Sequence, residues 1–240
     1  MDQHERAMAF RSMHLGPPIL VLPNAWDVAS ASALAGLPGC RALATSSAAV
    51  ARSLGWEDGE RAPAAEMIEA AGRIAAAVGV PVTADLERGY GDPVGTARAA
   101  WEAGVVGINF EDSTRAGLVG LEEQVEAIRA IRRAVPDLVV NARVDVFLGI
   151  GRGDVLEAAE RANAYLEAGA DCVYPILAPP DRIPALVHRI AGPVNILLQA
   201  GTPPPTELEE LGVARATWGS GLAAIAYAEA VRVAAAALAL

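Results

Sequence analysis

Gly79-Val-Pro-Val-Thr-Ala-Asp-Leu-Glu-Arg-Gly-Tyr-Gly-Asp92 runs a helix stop, a short strand and a cluster of acids together without a break. Gly79 accepts the left-handed conformation that closes a helix, and Pro81 cannot continue one. Val80–Ala84 is then an apolar run without alternation, as expected of a parallel strand covered on both faces. The polar residues begin only where that strand ends.

The same junction recurs outward in both directions, at Gly36-Leu-Pro-Gly39, Gly104-Val-Val-Gly107, Pro136-Asp137, Gly169-Ala-Asp171, Gly192-Pro193 and Gly212-Val213. It sets off strands at Ile19–Pro23, Arg41–Thr45, Val80–Ala84, Gly107–Phe110, Leu138–Ala142, Asp171–Ile176, Pro193–Leu198 and Ala214–Trp218. Between them apolar residues recur at three and four positions, as in Met67, Ile68, Ala71, Ile74, Ala75 and Val78. Eight such units predict an α/β fold, a (β/α)8 TIM barrel filling residues 1–240 as one domain, with Asp2–Leu15 as an extra leading helix. A doubly wound open sheet is the structural rival, although no Gly-x-Gly-x-x-Gly follows the first strand.

Composition narrows the chemistry. All 19 basic residues are arginine against 29 acids, for a net charge of −10. Without lysine there is no Schiff-base aldolase, pyridoxal enzyme or lysine-based P-loop. The negative charge argues against nucleic-acid binding. Two cysteines, Cys40 and Cys172, are too few for a disulfide scaffold and sit at strand entries, where buried structural thiols are expected. His4, His14 and His188 cannot assemble a triad or a zinc site. The start lacks a signal-peptide core, and the apolar stretch Val231–Leu240 is shorter than a membrane span. A cytoplasmic protein without membrane contact is expected, its last stretch a packed terminal helix. Leu222–Leu240 is more apolar than one barrel needs, which predicts a homo-oligomer, a dimer or tetramer.

In a barrel, chemistry sits at the carboxyl ends of the strands. There lie Asn24 and Asp27, Ser46, Ser47 and Asp58, Asp85, Glu87 and Tyr90, Asn109 and Glu111, Asn141 and Arg143, Tyr174, Asn195 and Gln199. Asp85 and Glu87 share strand parity, and Glu111 arrives from the next strand. Carboxylates without histidine or thiol select a hard cation, magnesium or manganese. The alternative is that these acids cap helices or pair with Arg88 and Arg115; Asp92 and Asp112 are assigned to capping. Arg143 ends an apolar strand and must face a carboxylate, either the substrate's or that of Asp145. The Ser46–Ser47 turn offers backbone N–H groups to an oxyanion or carboxylate. The Gly219-Ser220-Gly221 turn is either a phosphate site or a close-packed entry to the last helix.

Five segments, Leu22-Pro-Asn-Ala-Trp-Asp27, Thr45-Ser-Ser47 with Ser53-Leu-Gly55 and Asp58, Thr83–Asp92, Ile108-Asn-Phe-Glu-Asp112 and Asn141-Ala-Arg-Val-Asp145, together resemble the isocitrate lyase / phosphoenolpyruvate mutase superfamily. The resemblance implies a barrel, often a tetramer that exchanges its last helix, and Mg2+ (or Mn2+) with 2-oxo acids or phosphoenolpyruvate-like substrates. It implies Asp85 as direct metal ligand, with Glu87, Glu111 and Asp58 holding the ion through water. Ser46, Ser47, Asp85, Arg143 and Asn195 would bind substrate, while Asp58, Glu87, Tyr90 and Arg143 would serve catalysis. The chain departs from the named members at Ser113–Gly120, where the superfamily's reactive loop carries Lys, Cys and His or Lys and Asn; none of these occurs. The implied activity is a magnesium-dependent carbon–carbon lyase on a small 2-oxo or 2-hydroxy dicarboxylic acid, passing through an enolate. The rivals are a phosphonomutase or hydrolase on phosphonopyruvate-like substrates, and a binding protein for 2-oxo acids without catalysis.

Overall fold

The computed structural model describes residues 1–238. Helix α1 (Gln3–Ser12) opens the chain, closed at its start by an Asp2–Glu5 capping box. The barrel strands are β1 (Leu20–Leu22), β2 (Asn24–Ala25), β3 (Leu43–Thr45), β4 (Val82–Asp85), β5 (Gly107–Phe110), β8 (Val139–Val144), β9 (Cys172–Pro175), β10 (Asn195–Leu197) and β11 (Arg215–Thr217). Around them lie α2 (Val28–Ala35), α3 (Ser47–Ser53), α4 (Ala64–Ala77), α5 (Pro93–Glu102), α6 (Leu121–Ala134), α7 (Val155–Glu167), α8 (Ile183–Arg189) and α9 (Pro205–Glu210), before α10 (Gly221–Leu238). The stretch Ser113–Gly120 forms a small hairpin, β6 (Ser113–Thr114) and β7 (Gly117–Leu118). Asp92 caps α5, as predicted, by accepting the Gly95 N–H at 2.9 Å.

Strands β2-β3-β4-β5-β8-β9 form one parallel sheet and β1-β11-β10 another. The two join on one side through the parallel bridge Val173–Val194. On the other side β1 and β2 are one strand interrupted at Pro23, which has no N–H to give the ladder. Before Pro23 the strand pairs with β11, and after it with β3. Asn24 spans the break: its Oδ1 accepts the Trp218 N–H at 2.8 Å and its Nδ2 donates to the Thr45 carbonyl at 2.9 Å. Counting β1 and β2 together, eight parallel strands close into the predicted barrel, and the open sheet is excluded.

The outer face of the sheet packs on the helices through Val82, Ala84, Ile108, Phe110, Val140 and Ala142. The inner face is apolar only toward the amino end, where Leu20, Leu22, Ala44 and Val139 meet Phe10 and Ala7 of α1. Both cysteines lie at this end, and burial pushes the Cys172 thiol up to about 12.

Two expectations fail. Asp112 is not a helix cap; fully buried, it accepts the Asp145 N–H (2.8 Å) and the Tyr165 hydroxyl (2.7 Å) and pairs with Arg161 (3.1 Å). A carboxylate this deep needs several donors, and it finds them across β8 and α7 rather than in its own backbone. The last helix does not pack on its own barrel. α10 has 18 described residues, long and apolar enough by length and composition to cross a membrane, and only Ala223 of it is buried. The last two residues of the predicted stretch, 239 and 240, lie outside the described residues.

His14 closes the bottom of the barrel. Its Nδ1–H donates to the Phe10 carbonyl at 2.9 Å, its ring stands edge-on to Phe10, and its Nε2 is buried without a partner among the described residues. Burial and the Arg215 charge push its pKa down to about 4. The unfolded chain therefore binds this proton first, so stability is full above about pH 6.5 and falls by about 3 kcal/mol on approaching pH 4. Urea melts at pH 7, 5.5 and 4.5 should show that much less acid sensitivity in His14→Gln than in the wild type.

Candidate active site at the carboxyl ends of the strands

The loop after β4 is built for a tight approach. Gly89 and Gly91 have φ of +87° and +82°, and a Cβ on Gly89 would stand 2.6 Å from the Pro93 Cα. Glu87 and Tyr90 are held in the same left-handed region, at +50° and +53°, where side chains other than glycine are strained. Four hydrogen bonds hold them there. Glu87 accepts the Glu60 N–H at 2.5 Å and the Tyr90 hydroxyl at 3.1 Å. The Tyr90 N–H donates to Glu60 at 2.6 Å, and the Glu111 N–H to the Glu87 carbonyl at 2.9 Å.

Asp85 ends β4 half-buried. Its Oδ2 accepts both the N–H (3.0 Å) and the hydroxyl (2.9 Å) of Ser47, while its Oδ1 is buried with no partner among the described residues. The Ser46–Ser47 turn was expected to cradle a substrate anion. The structure corrects this for Ser47, whose N–H is already spent on the Asp85 carboxylate; Ser46 accepts the Ala49 N–H and caps α3.

Asp85 lines an inner cavity, Glu87 and Glu111 line the cleft outside it, and Asp58 borders both. Burial and the charge of Asp85 raise the pKa of Asp58, and burial with the charges of Asp58 and Asp85 pushes Glu87 up to about 7. Burial also raises Glu111, against the pull of Arg143. These shifts mark carboxylates without enough positive charge beside them. Arg88 and Arg115 do not supply it, since Arg88 binds Gln124 and Glu123 and Arg115 the Gly59 carbonyl. Arg143 alone does. It grips Asp145 through Nε (2.6 Å) and Nη2 (3.0 Å) and pairs with Glu111 through Nη1. The partner predicted for Arg143 is therefore protein in this structure, in both available directions.

An inner cavity of about 230 Å3 is walled by Asp58, Asp85, Asn109, Arg143 and Tyr174, with Ser46 and Ser47 at its side. It adjoins an outer cleft of about 830 Å3 that shares Asp58 and Arg143, includes Glu87 and Glu111, and is roofed by the Ser113–Ala116 hairpin. Tyr90 lines neither, and burial and the Glu87 charge push its pKa well above the usual phenol range, so it acts as a donor. Asn195 is set back, fully buried with its amide turned to the Thr217 hydroxyl at 3.4 Å. Another cavity, of about 620 Å3, lies at the amino end of the barrel, walled mainly by Gly, Pro and aliphatic residues. Its polar residues are His14, Glu209 and Glu210, and Glu209 already accepts the Ile19 N–H.

Asn24, Asn109 and Tyr174, placed at strand ends by the sequence but given no role, line the inner cavity, as does Thr217, which the sequence did not single out. The register carries the signal. Asp85 stands opposite Asn109, Asn109 opposite Asn141, and Arg143 opposite Tyr174, so one inward-facing row follows from pairing the strands.

Among the described residues no three His, Cys, Asp or Glu side chains converge closely enough to enclose a metal by themselves. The site nevertheless fits a small hard cation that takes one protein oxygen and keeps its waters. The Asp85 Oδ1, buried without a partner among the described residues, offers such an oxygen, and Asp58 lines the same cavity.

Comparison with known proteins agrees with this geometry. The family model described as phosphoenolpyruvate phosphomutase matches residues 10–238. An uncharacterized protein of Mycobacterium tuberculosis is 38% identical over 228 residues, covering 92% of this chain and 87% of that one. The 2-methylisocitrate lyase of Bacillus subtilis is 36% identical over 187 residues, covering 72% of this chain and 60% of its own length. The crystal structure of a 2,3-dimethylmalate lyase superposes with a TM-score of 0.84 at 27% identity, over 97% of this chain and 87% of that one. Relatives in this group are lyases and mutases. The chain belongs to the phosphoenolpyruvate phosphomutase family, within the isocitrate lyase / phosphoenolpyruvate mutase superfamily.

Proposed function

We propose that the protein is a divalent-cation-dependent lyase that cleaves a carbon–carbon bond of a small 2-oxo or 2-hydroxy dicarboxylic acid. The observation that carries this reading is the buried, unpartnered Asp85 Oδ1 beside a cavity of only about 230 Å3. That volume lies below the ~300–1,000 Å3 of sites for larger ligands and suits a short acid. Asp85 would hold Mg2+ or Mn2+ directly, with Asp58, Glu87 and Glu111 around its waters. When bound, the cation supplies Lewis-acid stabilisation of the negative charge that develops on the oxo oxygen during cleavage.

The chain's own residues divide the remaining work. Ser47 fixes the Asp85 carboxylate, leaving Oδ1 turned outward. Arg143 attracts the anionic end of the substrate from the cleft and is aligned for it by Asp145, which is itself anchored to Asp112. Tyr90 and Glu87 form a hydrogen-bonded pair at the rim that can pass a proton through water. The hairpin above the cleft carries Arg115 and no amine or thiol, so protonation of the product falls to this pair rather than to the loop.

The exposed apolar face of α10, with Ile225, Val231 and Val233 each more than half exposed, supports assembly with further copies of this chain. The Glu229–Arg232 ion pair lies between these residues.

Two outcomes are expected. Oxaloacetate, dimethylmalate and methylisocitrate offered with magnesium should include at least one substrate, and Asp85→Ala should lower its turnover by about 10^2- to 10^3-fold or more. Turnover no higher than that of Asp85→Ala on all three contradicts the lyase; a phosphorus NMR signal from processed phosphonopyruvate would replace it with phosphonate chemistry. Light scattering should give a multiple of the 24.7 kDa chain mass, and truncation after Ser220 should return the single-chain value of the remaining barrel. A mass of 24.7 kDa for the whole protein contradicts the assembly.

A further inference from the structure

The inside of the barrel holds a cation that no carboxylate neutralises. Arg215, on β11, is fully buried, and its Nε and Nη1 have no partner among the described residues. Burying a guanidinium in this way is costly, so its remaining contact carries weight. That contact is Nη2 to the Oδ1 of Asn109, at 3.4 Å. The Nδ2 of Asn141 donates to the same oxygen at 2.8 Å.

This convergence determines which way the Asn109 amide faces. A guanidinium can only donate, so the group turned toward Arg215 must be the carbonyl. The amino end is then turned the other way, toward the cavity that Asn109 lines together with Asp85 and Arg143. There its N–H groups meet no acceptor among the described hydrogen bonds of the protein. Several other donors on this wall are already engaged, both of Ser47 by Asp85, the amide of Asn24 by Thr45, and Arg143 by Asp145 and Glu111, while the Tyr174 hydroxyl has no partner among the described residues. An anion entering the cavity finds the Asn109 amide free and pre-aimed.

We propose that Asn109 is a substrate-contacting residue whose Nδ2–H donates to a carboxylate or oxo oxygen of the bound acid, and that Arg215 is the positioning residue that holds this amide. The proposal rests on the reading of the inner cavity as the oxo-acid site. It assigns a use to a buried charge that the fold otherwise carries at a loss.

The probe is oxalate, a planar dianion resembling the enolate of pyruvate, titrated calorimetrically into the protein at saturating magnesium chloride. Asn109→Ala should weaken oxalate about 10- to 100-fold, the range for a lost hydrogen bond to a charged group. Asn109→Asp separates this role from a structural one. Its carboxylate would pair with Arg215 and keep or raise the melting temperature, while its second oxygen repels the dianion and weakens oxalate more than the alanine does. Arg215→Met should weaken oxalate while leaving Asn109 in place, with partial recovery in Arg215→Lys. If Arg215→Met does not fold, the two Asn109 variants decide the matter. Oxalate affinity within threefold of wild type in Asn109→Ala and Asn109→Asp overturns the assignment. Absence of oxalate binding to the wild type overturns the reading of the cavity, and the assignment with it.

Discussion

The burial and mutual repulsion of the acids Asp58, Asp85, Glu87 and Glu111, beside an Arg143 guanidinium already shared with Asp145, is the constraint around which the site is organised. Carboxylates in low dielectric keep protons or gather cations. The fold denies Glu87 and Glu111 the simple remedy of exposure to water by burying both at the strand ends, while Asp85 is half-buried and Asp58 exposed. It also withholds nearby arginines, sending Arg88 to α6 and Arg115 to a backbone carbonyl. What remains is negative potential focused on one unpartnered oxygen of Asp85.

Holding such a cluster together requires stiffness, and barrel closure supplies it. Pro23 breaks the ladder where β1 becomes β2, and the Asn24 side chain joins the two flanking strands across that break. The register of β4, β5 and β8 then sets Asp85, Asn109 and Asn141 side by side on the inner face. Behind Arg143, the buried group of Asp112, Tyr165 and Arg161 anchors the backbone at Asp145. Strain at Glu87 and Tyr90 is tolerated because Glu60 holds both.

Much of this was legible in the residues. Gly and Pro punctuate each helix-to-strand junction, so all eight barrel strands were placed within a few residues, and the acids at the end of β4 stood out against an apolar run. Pairing was harder to foresee. Which donor satisfies Asp85, or that Asp112 turns inward to Tyr165 some fifty residues away, depends on contacts distant in sequence. The pairing of Asn109 with Arg215 was obscured for a similar reason: Asn109 stood out as a polar strand end, but Arg215 looks like an ordinary strand residue until the contact between them is seen. The terminal helix misled because composition alone does not distinguish a helix that packs on its own barrel from one that stands away from it. The absence of lysine was the most economical clue, excluding amine chemistry at the hairpin before any geometry was known.

The central claim is that the acids at the strand ends remain uncompensated because they are arranged to receive a cation at Asp85. Anomalous diffraction from crystals soaked in manganese tests it most directly. The account predicts a single strong peak within bonding distance of the Asp85 Oδ1, with Asp58, Glu87 and Glu111 around it beyond direct contact. A map with no peak there, or with the metal held elsewhere on the chain, would contradict it.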